Sequence, residues 1–233
     1  MQEVLNRWNE CPDSTTLKYH QKQWREPYRQ TVAFADFIAD FVLPGADYID
    51  AGCGGGSATH YFRQRFKQAH FTGIDVSAPL IELAIQQSNG ANYDIDDLTN
   101  LKVRFNVDGV ICLQVLHTMP HYAAPLHQIA TRIRPKWIGF STLIYEGDID
   151  ATIVVTEHAR PRRAYHNIYA LPRLSMFMAA EKYVLRQYQP FDLDISIKRP
   201  FDANLMGTWT DRGLQRSGPL LMPWAFCLFE REK

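Results

Sequence analysis

The sequence predicts an α/β fold, a doubly wound, mostly parallel sheet with helices on both faces. Three observations carry that prediction. Short apolar runs alternate with helix-like segments from Asp47 to Tyr145, the rhythm of strands paired in parallel through helical crossovers. Gly52, Gly54, Gly55 and Gly56 join the first run directly to a helix-like segment, and glycines at that junction let a ligand approach the backbone. Asp75 closes the second run 19 positions after Gly56, at the carboxyl edge where such sheets bind their ligands.

Taken in order, Val32, Phe34, Ala35, Ile38, Ala39 and Val42 recur at helical spacing within a polar and aromatic first 45 residues. They predict an amphipathic helix over Thr31 to Phe41, stopped by Pro44-Gly45. Strands are expected at Asp47 to Asp50, His70 to Asp75, Asn89 to Tyr93, Val107 to Leu113 and Trp137 to Leu143. Helices are expected at Ser57 to Phe66, at Pro79 to Gln87 behind Ser77 as N-cap, and at Pro120 to Ile133 with Pro120 in the first turn. Beyond Tyr145 the segment Glu146 to Tyr169 is polar and basic, Leu171 to Tyr183 reads as a helix, and Val184 to Tyr188 as extended. Leu193 to Ile197, Leu205 to Thr210 and Trp224 to Glu230 read as strands broken by Gly207, Gly213 and Gly218-Pro219. One domain spanning 1–233 accounts for the pattern.

Composition narrows the function classes. The 233 residues are 46% hydrophobic and 21% charged, an ordinary globular balance, which excludes a disordered or collagen-like chain. Lys plus Arg and Asp plus Glu are 25 each, so no overall positive field gathers nucleic acid or an anionic membrane. Cys11, Cys53, Cys112 and Cys227 are scattered, without the spacing of a zinc site or a disulfide framework. Met1 to Glu10 has no signal-peptide core, and no later run reaches the roughly 20 apolar residues of a membrane span. The expectation is a soluble, cytoplasmic protein. Oligomeric state is not legible.

The glycine turn has a rival reading as a dinucleotide site. Against it stands Asp50, two residues before Gly52, because a phosphate-binding turn gains nothing from an acid beside it. The run Asp50-Ala-Gly-Cys-Gly-Gly-Gly56 instead matches the acid-x-Gly-x-Gly-x-Gly motif of the class I S-adenosylmethionine-dependent methyltransferases. Residues 47 to 145 resemble that family in three further places. Asp75 matches the acid closing strand two, Asp94-Ile95 with Leu98 matches the third motif, and Asp108-Gly-Val-Ile-Cys-Leu-Gln-Val-Leu-His117 matches the fourth.

The resemblance implies a seven-stranded sheet and S-adenosylmethionine as cofactor. It implies that Asp75 accepts both ribose hydroxyls, with Val76 beside it, and that Asp94 accepts from the adenine amine next to the Ile95 backbone. It implies that Gly52, Cys53 and Gly54 line the methionine moiety, that Asp50 orients its ammonium, and that Leu113 or Gln114 faces the sulfonium and methyl.

Methyl transfer is an in-line displacement that asks the protein mainly for alignment, exclusion of water and, for a hydroxyl, removal of a proton. Base candidates near the fourth and fifth strands are His117, His121, Tyr145 and Glu146. His117 is the catalytic candidate, with loop packing as its other reading. His117 and His121 are four apart, but Pro120 intervenes and no third ligand accompanies them, so no metal is expected. Within residues 1–45, Tyr19, His20, Gln23, Trp24 and Arg29 are candidates for a lid over cofactor and substrate, or for a helix packed on the sheet. Residues 146–183 form a substrate-side insertion in which Arg160, Arg162 and Arg163 either clamp an anionic group or make a solvated basic loop. Trp209 and Trp224 either stack on the acceptor or belong to the core.

A loose likeness of Asn167 to Arg173 and Ser217 to Trp224 to methyltransferases of bacterial surface-polysaccharide pathways favours a sugar or sugar-nucleotide hydroxyl as acceptor. Lys182-Tyr183 departs from that subgroup, which has a glycine near the end of the late helix. The alternatives are an RNA methyltransferase, which balanced charge disfavours, and a noncatalytic cofactor-binding regulator.

Overall fold

A computed structural model describes residues 14–88, 92–102, 106–158, 162–199 and 206–232. Its central sheet contains β1 (Asp47–Ala51), β2 (His70–Asp75), β3 (Tyr93–Ile95), β4 (Gly109–Leu113) and β5 (Trp137–Tyr145), all mutually parallel. These runs are nearly continuous apolar sequences because parallel strands are covered on both faces. The strand order is β3-β2-β1-β4-β5, followed by two strands from the end of the chain, β13 (Trp224–Arg231) and β9 (Tyr183–Pro190). β13 runs antiparallel to both of its neighbours. The seven-strand path implied by the family resemblance is therefore present, and a short β8 (Ile168–Ala170) adds to β5 in parallel beyond it.

The pleat sorts side chains into two cores. Ile49, Ala51, Val110, Cys112, Ile138 and Phe140 point to one face, where they meet α5 (Ala123–Gln128) and α6 (Leu171–Ala180) through Leu126, Leu174 and Met178. Tyr48, Phe71, Ile111, Trp137, Phe226 and Leu228 point to the other face. There they meet Phe34, Ala35 and Phe37 of α2 (Arg29–Phe37) and Phe62 of α3 (Ser57–Arg65), while α4 (Ala78–Gln87) follows β2. Each strand thus supplies alternate residues to opposite faces, and together the two cores lock the register, since a one-residue slip would exchange them.

Several boundaries differ from the sequence expectation for identifiable reasons. The helix expected from Pro120 begins at Ala123, whose backbone N–H donates to His121 Nδ1 at 3.1 Å. It then widens into a π-helical turn over Ile129–Ile133. The late helix stops at Ala180 because Lys182 turns left-handed, at φ 70°, and Tyr183 begins β9. Leu193 to Ile197 is not a strand, although Ile197 exchanges hydrogen bonds with Thr210. The expected third strand starts at Tyr93, with positions 89–91 outside the described residues. Leu205 also lies outside them, and the strand expected there is β10 (Thr208–Asp211). It pairs with β11 (Leu214–Ser217), which pairs with β12 (Leu220–Leu221). The polar stretch after β5 folds into a hairpin of β6 (Val154–Glu157) and β7 (Arg162–Tyr165). Among the described residues no helix is long and apolar enough to cross a membrane.

Candidate active site

At the carboxyl end of β1 the chain turns into α3 through three left-handed glycines, Gly52, Gly54 and Gly56. Their φ angles, 79°, 53° and 80°, are costly for any residue with a Cβ. At Gly56 a Cβ would lie 2.7 Å from that of Ala84, and at Gly52 it would collide with Val115. The turn is tied to β2 by Gly52 and Cys53, whose N–H groups both donate to Ile74 O at 2.8 and 3.0 Å. Gly54 N donates to Asp75 Oδ2 and Ser77 N to Asp75 Oδ1, each at 2.9 Å. Each carboxylate oxygen keeps a further lone pair, and burial raises the acid's pKa against the pull of these amides. Val76, half-buried, follows it.

Asp50 lies beneath the turn, 2% exposed, and accepts a 2.6 Å hydrogen bond from Thr59 Oγ1 of α3. Burial is the largest influence on its carboxyl and lifts it to about 6, with the nearby Asp75 charge pushing the same way. Cys53 is buried beside it. At the end of β3, in register with Ile74 and Asp75, Asp94 and Ile95 are exposed, and Asp94 Oδ1 accepts from Ile95 N at 2.9 Å. Leu98, by contrast, belongs to the core. Asp96, which sequence reading missed, is 4% exposed and accepts from Asp97 N and Lys102 N, shaping the loop that carries its neighbours.

The end of β4 holds Leu113 and Gln114, both half-buried. Gln114 adopts φ 58°, and its N–H donates to Ser141 O and Ser141 Oγ at 3.2 and 3.0 Å. Gln114 Nε2 donates to Gln30 Oε1 on α2. His117 follows on a 3₁₀ turn, 5% exposed, edge-on to Trp224 at 4.7 Å between ring centres and 5.7 Å from His166. Burial, with a smaller effect from His166, pushes its pKa down to about 3, so the ring is neutral throughout the physiological range. Its Nδ1 has no hydrogen-bond partner among the described residues. Asn167 Nδ2 donates to Met119 O at 2.9 Å and Tyr169 Oη to Leu116 O at 2.9 Å, pinning this loop from the far side of the insertion. Among the described residues no group of three His, Cys, Asp or Glu side chains is placed to hold a metal ion.

The N-terminal helix α1 (Ser14–Arg25) lies on the glycine turn. Trp24 Nε1 donates to Gly55 O at 2.7 Å, Ser57 Oγ to Gln23 Oε1 at 3.1 Å and Gly55 N to His20 Nδ1 at 3.4 Å. Burial lowers the pKa of His20. Tyr19 lies on the same helix. Arg29 points elsewhere, to an exposed pair with Asp194 at 2.6 Å. Arg162 and Arg163 lie on β7, which packs against the Leu116–Thr118 turn, and Arg160 is outside the described residues. Trp224 is core, 7% exposed. Trp209 lies beneath the guanidinium groups of Arg199 and Arg216 and donates from Nε1 to Gly218 O at 3.0 Å.

The chain is similar to known proteins. A sequence profile described as a methyltransferase domain matches residues 49–136. The magnesium-protoporphyrin O-methyltransferase of Synechocystis is 30% identical over 158 residues, covering 60% of this chain and 67% of that protein. The ubiquinone biosynthesis O-methyltransferase of Xanthomonas campestris is 25% identical over 151 residues, 54% of this chain. The match spans 62% of the length of that relative. The crystal structure of magnesium protoporphyrin IX methyltransferase from Synechocystis with bound SAH shares the fold. It has a TM-score of 0.58 at 16% identity, over 99% of this chain and 94% of that one.

Proposed function

The chain belongs to the class I S-adenosylmethionine-dependent methyltransferases, and we propose that it methylates an oxygen of a small molecule, with a sugar or sugar-nucleotide hydroxyl as the acceptor class. The observation that carries the reading is the glycine turn with Asp75 held across it. Gly52 and Gly56 leave no space for a Cβ, and the Asp75 oxygens retain lone pairs for a diol after accepting from Gly54 N and Ser77 N. These residues fit the cofactor's ribose and methionine ends. When bound, the cofactor supplies an electrophilic methyl on a sulfonium.

In this reading Asp75 accepts from the ribose hydroxyls while Val76 packs beside the adenine. Asp94 accepts from the adenine amine next to the Ile95 N–H. Gly52, Cys53 and Gly54 line the methionine moiety, and Asp50 orients its ammonium directly or through water. Leu113 and Gln114 face the methyl. His20, Gln23 and Trp24, in the 1–45 lid, cover the turn and keep water from it. The 146–183 insertion borders the acceptor side, with Arg162 and Arg163 on its hairpin. The acceptor oxygen would take the cofactor's methyl, the sulfur keeping the electron pair of the broken bond, and the hydroxyl proton would pass to solvent. His117 has a packing role: a neutral ring with a pKa near 3, buried against Trp224, is a poor proton acceptor. The O-methyltransferase names of the relatives support an oxygen acceptor.

Isothermal calorimetry against S-adenosylmethionine, S-adenosylhomocysteine and NAD tests the cofactor. Binding of the first two without the third supports the reading, followed by methyl transfer to nucleotide sugars. Binding of NAD alone overturns it.

A further inference from the structure

We propose that Gln30 is a positioning residue that turns the Gln114 amide so that its carbonyl faces the methyl acceptor. The site then selects a hydrogen-bond donor, a hydroxyl, over a carboxylate. This rests on the methyltransferase reading and deepens it.

Gln114 stands at the carboxyl end of β4, and the next residue, Val115, packs on Gly52 of the turn. Its left-handed backbone, φ 58° on a residue with a Cβ, is of a kind that survives only where the surroundings hold it. Two elements do so from different directions. Ser141, fully buried in β5, takes the Gln114 N–H on both its carbonyl and its hydroxyl. Gln30, 4% exposed on α2, takes the Gln114 amide nitrogen.

An amide has one donating end and one accepting end. With the Gln114 nitrogen engaged by Gln30 of α2, the accepting end is the one left over, and Oε1 accepts no hydrogen bond among the described residues. A carbonyl presented to an incoming group attracts O–H and repels the lone pairs of a carboxylate. It also takes up no proton at neutral pH, so Gln114 aligns the acceptor and does not deprotonate it. Gln30 touches neither reactant in this scheme and acts through Gln114.

The test uses phenol and benzoate, one ring with a hydroxyl or a carboxylate, titrated into the S-adenosylhomocysteine complex by ligand-observed NMR. The expected result is tighter binding of phenol by about tenfold, the worth of one favourable hydrogen bond. Gln30→Glu, which still accepts from Gln114 Nε2, should preserve that ratio. Gln30→Met, of similar length but without an acceptor, should bring it towards one. Should Gln30→Met fail to fold, Gln114→Leu makes the same test at the other partner and should also equalise the two ligands. An equal ratio in the wild type and in whichever variant folds overturns the proposal, as does a benzoate preference or no phenol binding in the wild type. Failure of S-adenosylhomocysteine to bind overturns the cofactor reading as well. Cofactor binding with a ratio indifferent to Gln30 sinks this inference alone.

Discussion

Asp50 is where the proposed function and stability pull against each other, and Asp50→Asn measures both. The side chain is 2% exposed, and burial lifts its carboxyl from an ordinary 3.8 to about 6. About two decades of proton affinity at roughly 1.4 kcal/mol each put the cost of ionising it in the folded protein at about 3 kcal/mol. The folded state holds the proton more tightly than the unfolded one, so this stability is present below about pH 4. It is lost as pH rises through about 6. Asparagine carries no charge at any pH and still accepts from Thr59 Oγ1, although the bond loses its charge assistance, worth about 1 kcal/mol. The net gain is about 2 kcal/mol, or about 4–8 °C in Tm for a chain of this length. Melting both proteins from pH 4 to pH 8 isolates the group, because every carboxylate that does not interact with it cancels in the difference. The difference should be least at pH 4 and complete by pH 7. At pH 8, where the wild-type carboxyl is ionised, Asp50→Asn should weaken S-adenosylmethionine at least tenfold in calorimetry, having lost the charge facing the ammonium, and the loss should shrink towards pH 4. A variant that melts below the wild type at pH 8, or a difference indifferent to pH, refutes the reasoning.

Three further substitutions address other parts of the site and fold. Asp75→Ala removes the acceptors proposed for the ribose together with the partners of Gly54 N and Ser77 N; calorimetry should show cofactor affinity lower by about 2–4 kcal/mol, and unchanged affinity would remove Asp75 from the site. His117→Phe keeps an aromatic ring against Trp224, so turnover with a working acceptor should remain within about fivefold of the wild type, with no inflection in the pH profile lost; a fall of more than about a hundredfold at unchanged cofactor affinity would restore His117 as a base. Lys182→Gly places glycine where the backbone is left-handed, at φ 70° after α6; it should raise the Tm by about 2–4 °C, the value of about 1 kcal/mol, and a lower Tm would mean that the lysine side chain outweighs the backbone strain.

The parts legible in sequence are those set by local chemistry. β2 runs over His70–Asp75, the limits its apolar run and closing acid imply, and the positive φ of Gly52, Gly54 and Gly56 is what their lack of a Cβ permits. Less legible was anything decided by a distant chain segment. Gln30 offers no motif; its meaning comes from α2 bringing it to Gln114, 84 positions away. His117 was visible as a residue, but its burial depends on Trp224 from the last strand. Asn167 and Tyr169 matter through carbonyls of residues 116 to 120 that lie about 50 positions upstream. Arg29 looked like its neighbours on the aromatic stretch, yet it faces Asp194, because the chain breaks between α1 and α2. Leu193 to Ile197 carried the period of a strand, and period alone supplies no partner.

Asp50, Ser77, Asp96 and His117 are buried at or beyond the carboxyl ends of strands, and Ser141, within β5, is in register with Leu113 at the end of β4, whereas Asp47 at the opposite end of β1 is exposed. Burying polar groups along one edge opposes folding unless each is matched. Here the matching is partial: Asp50 is ionised against its surroundings, Gln114 is left-handed, and His117 Nδ1 and Thr142 Oγ1 have no partner among the described residues. A ligand at a hundred times its Kd contributes about 2.7 kcal/mol to the folded state, the same size as the ionisation of Asp50. The carboxyl edge is thus the part of the sheet whose energetics are completed by what binds there, and its residues follow the ligand's shape and charge more than local propensity.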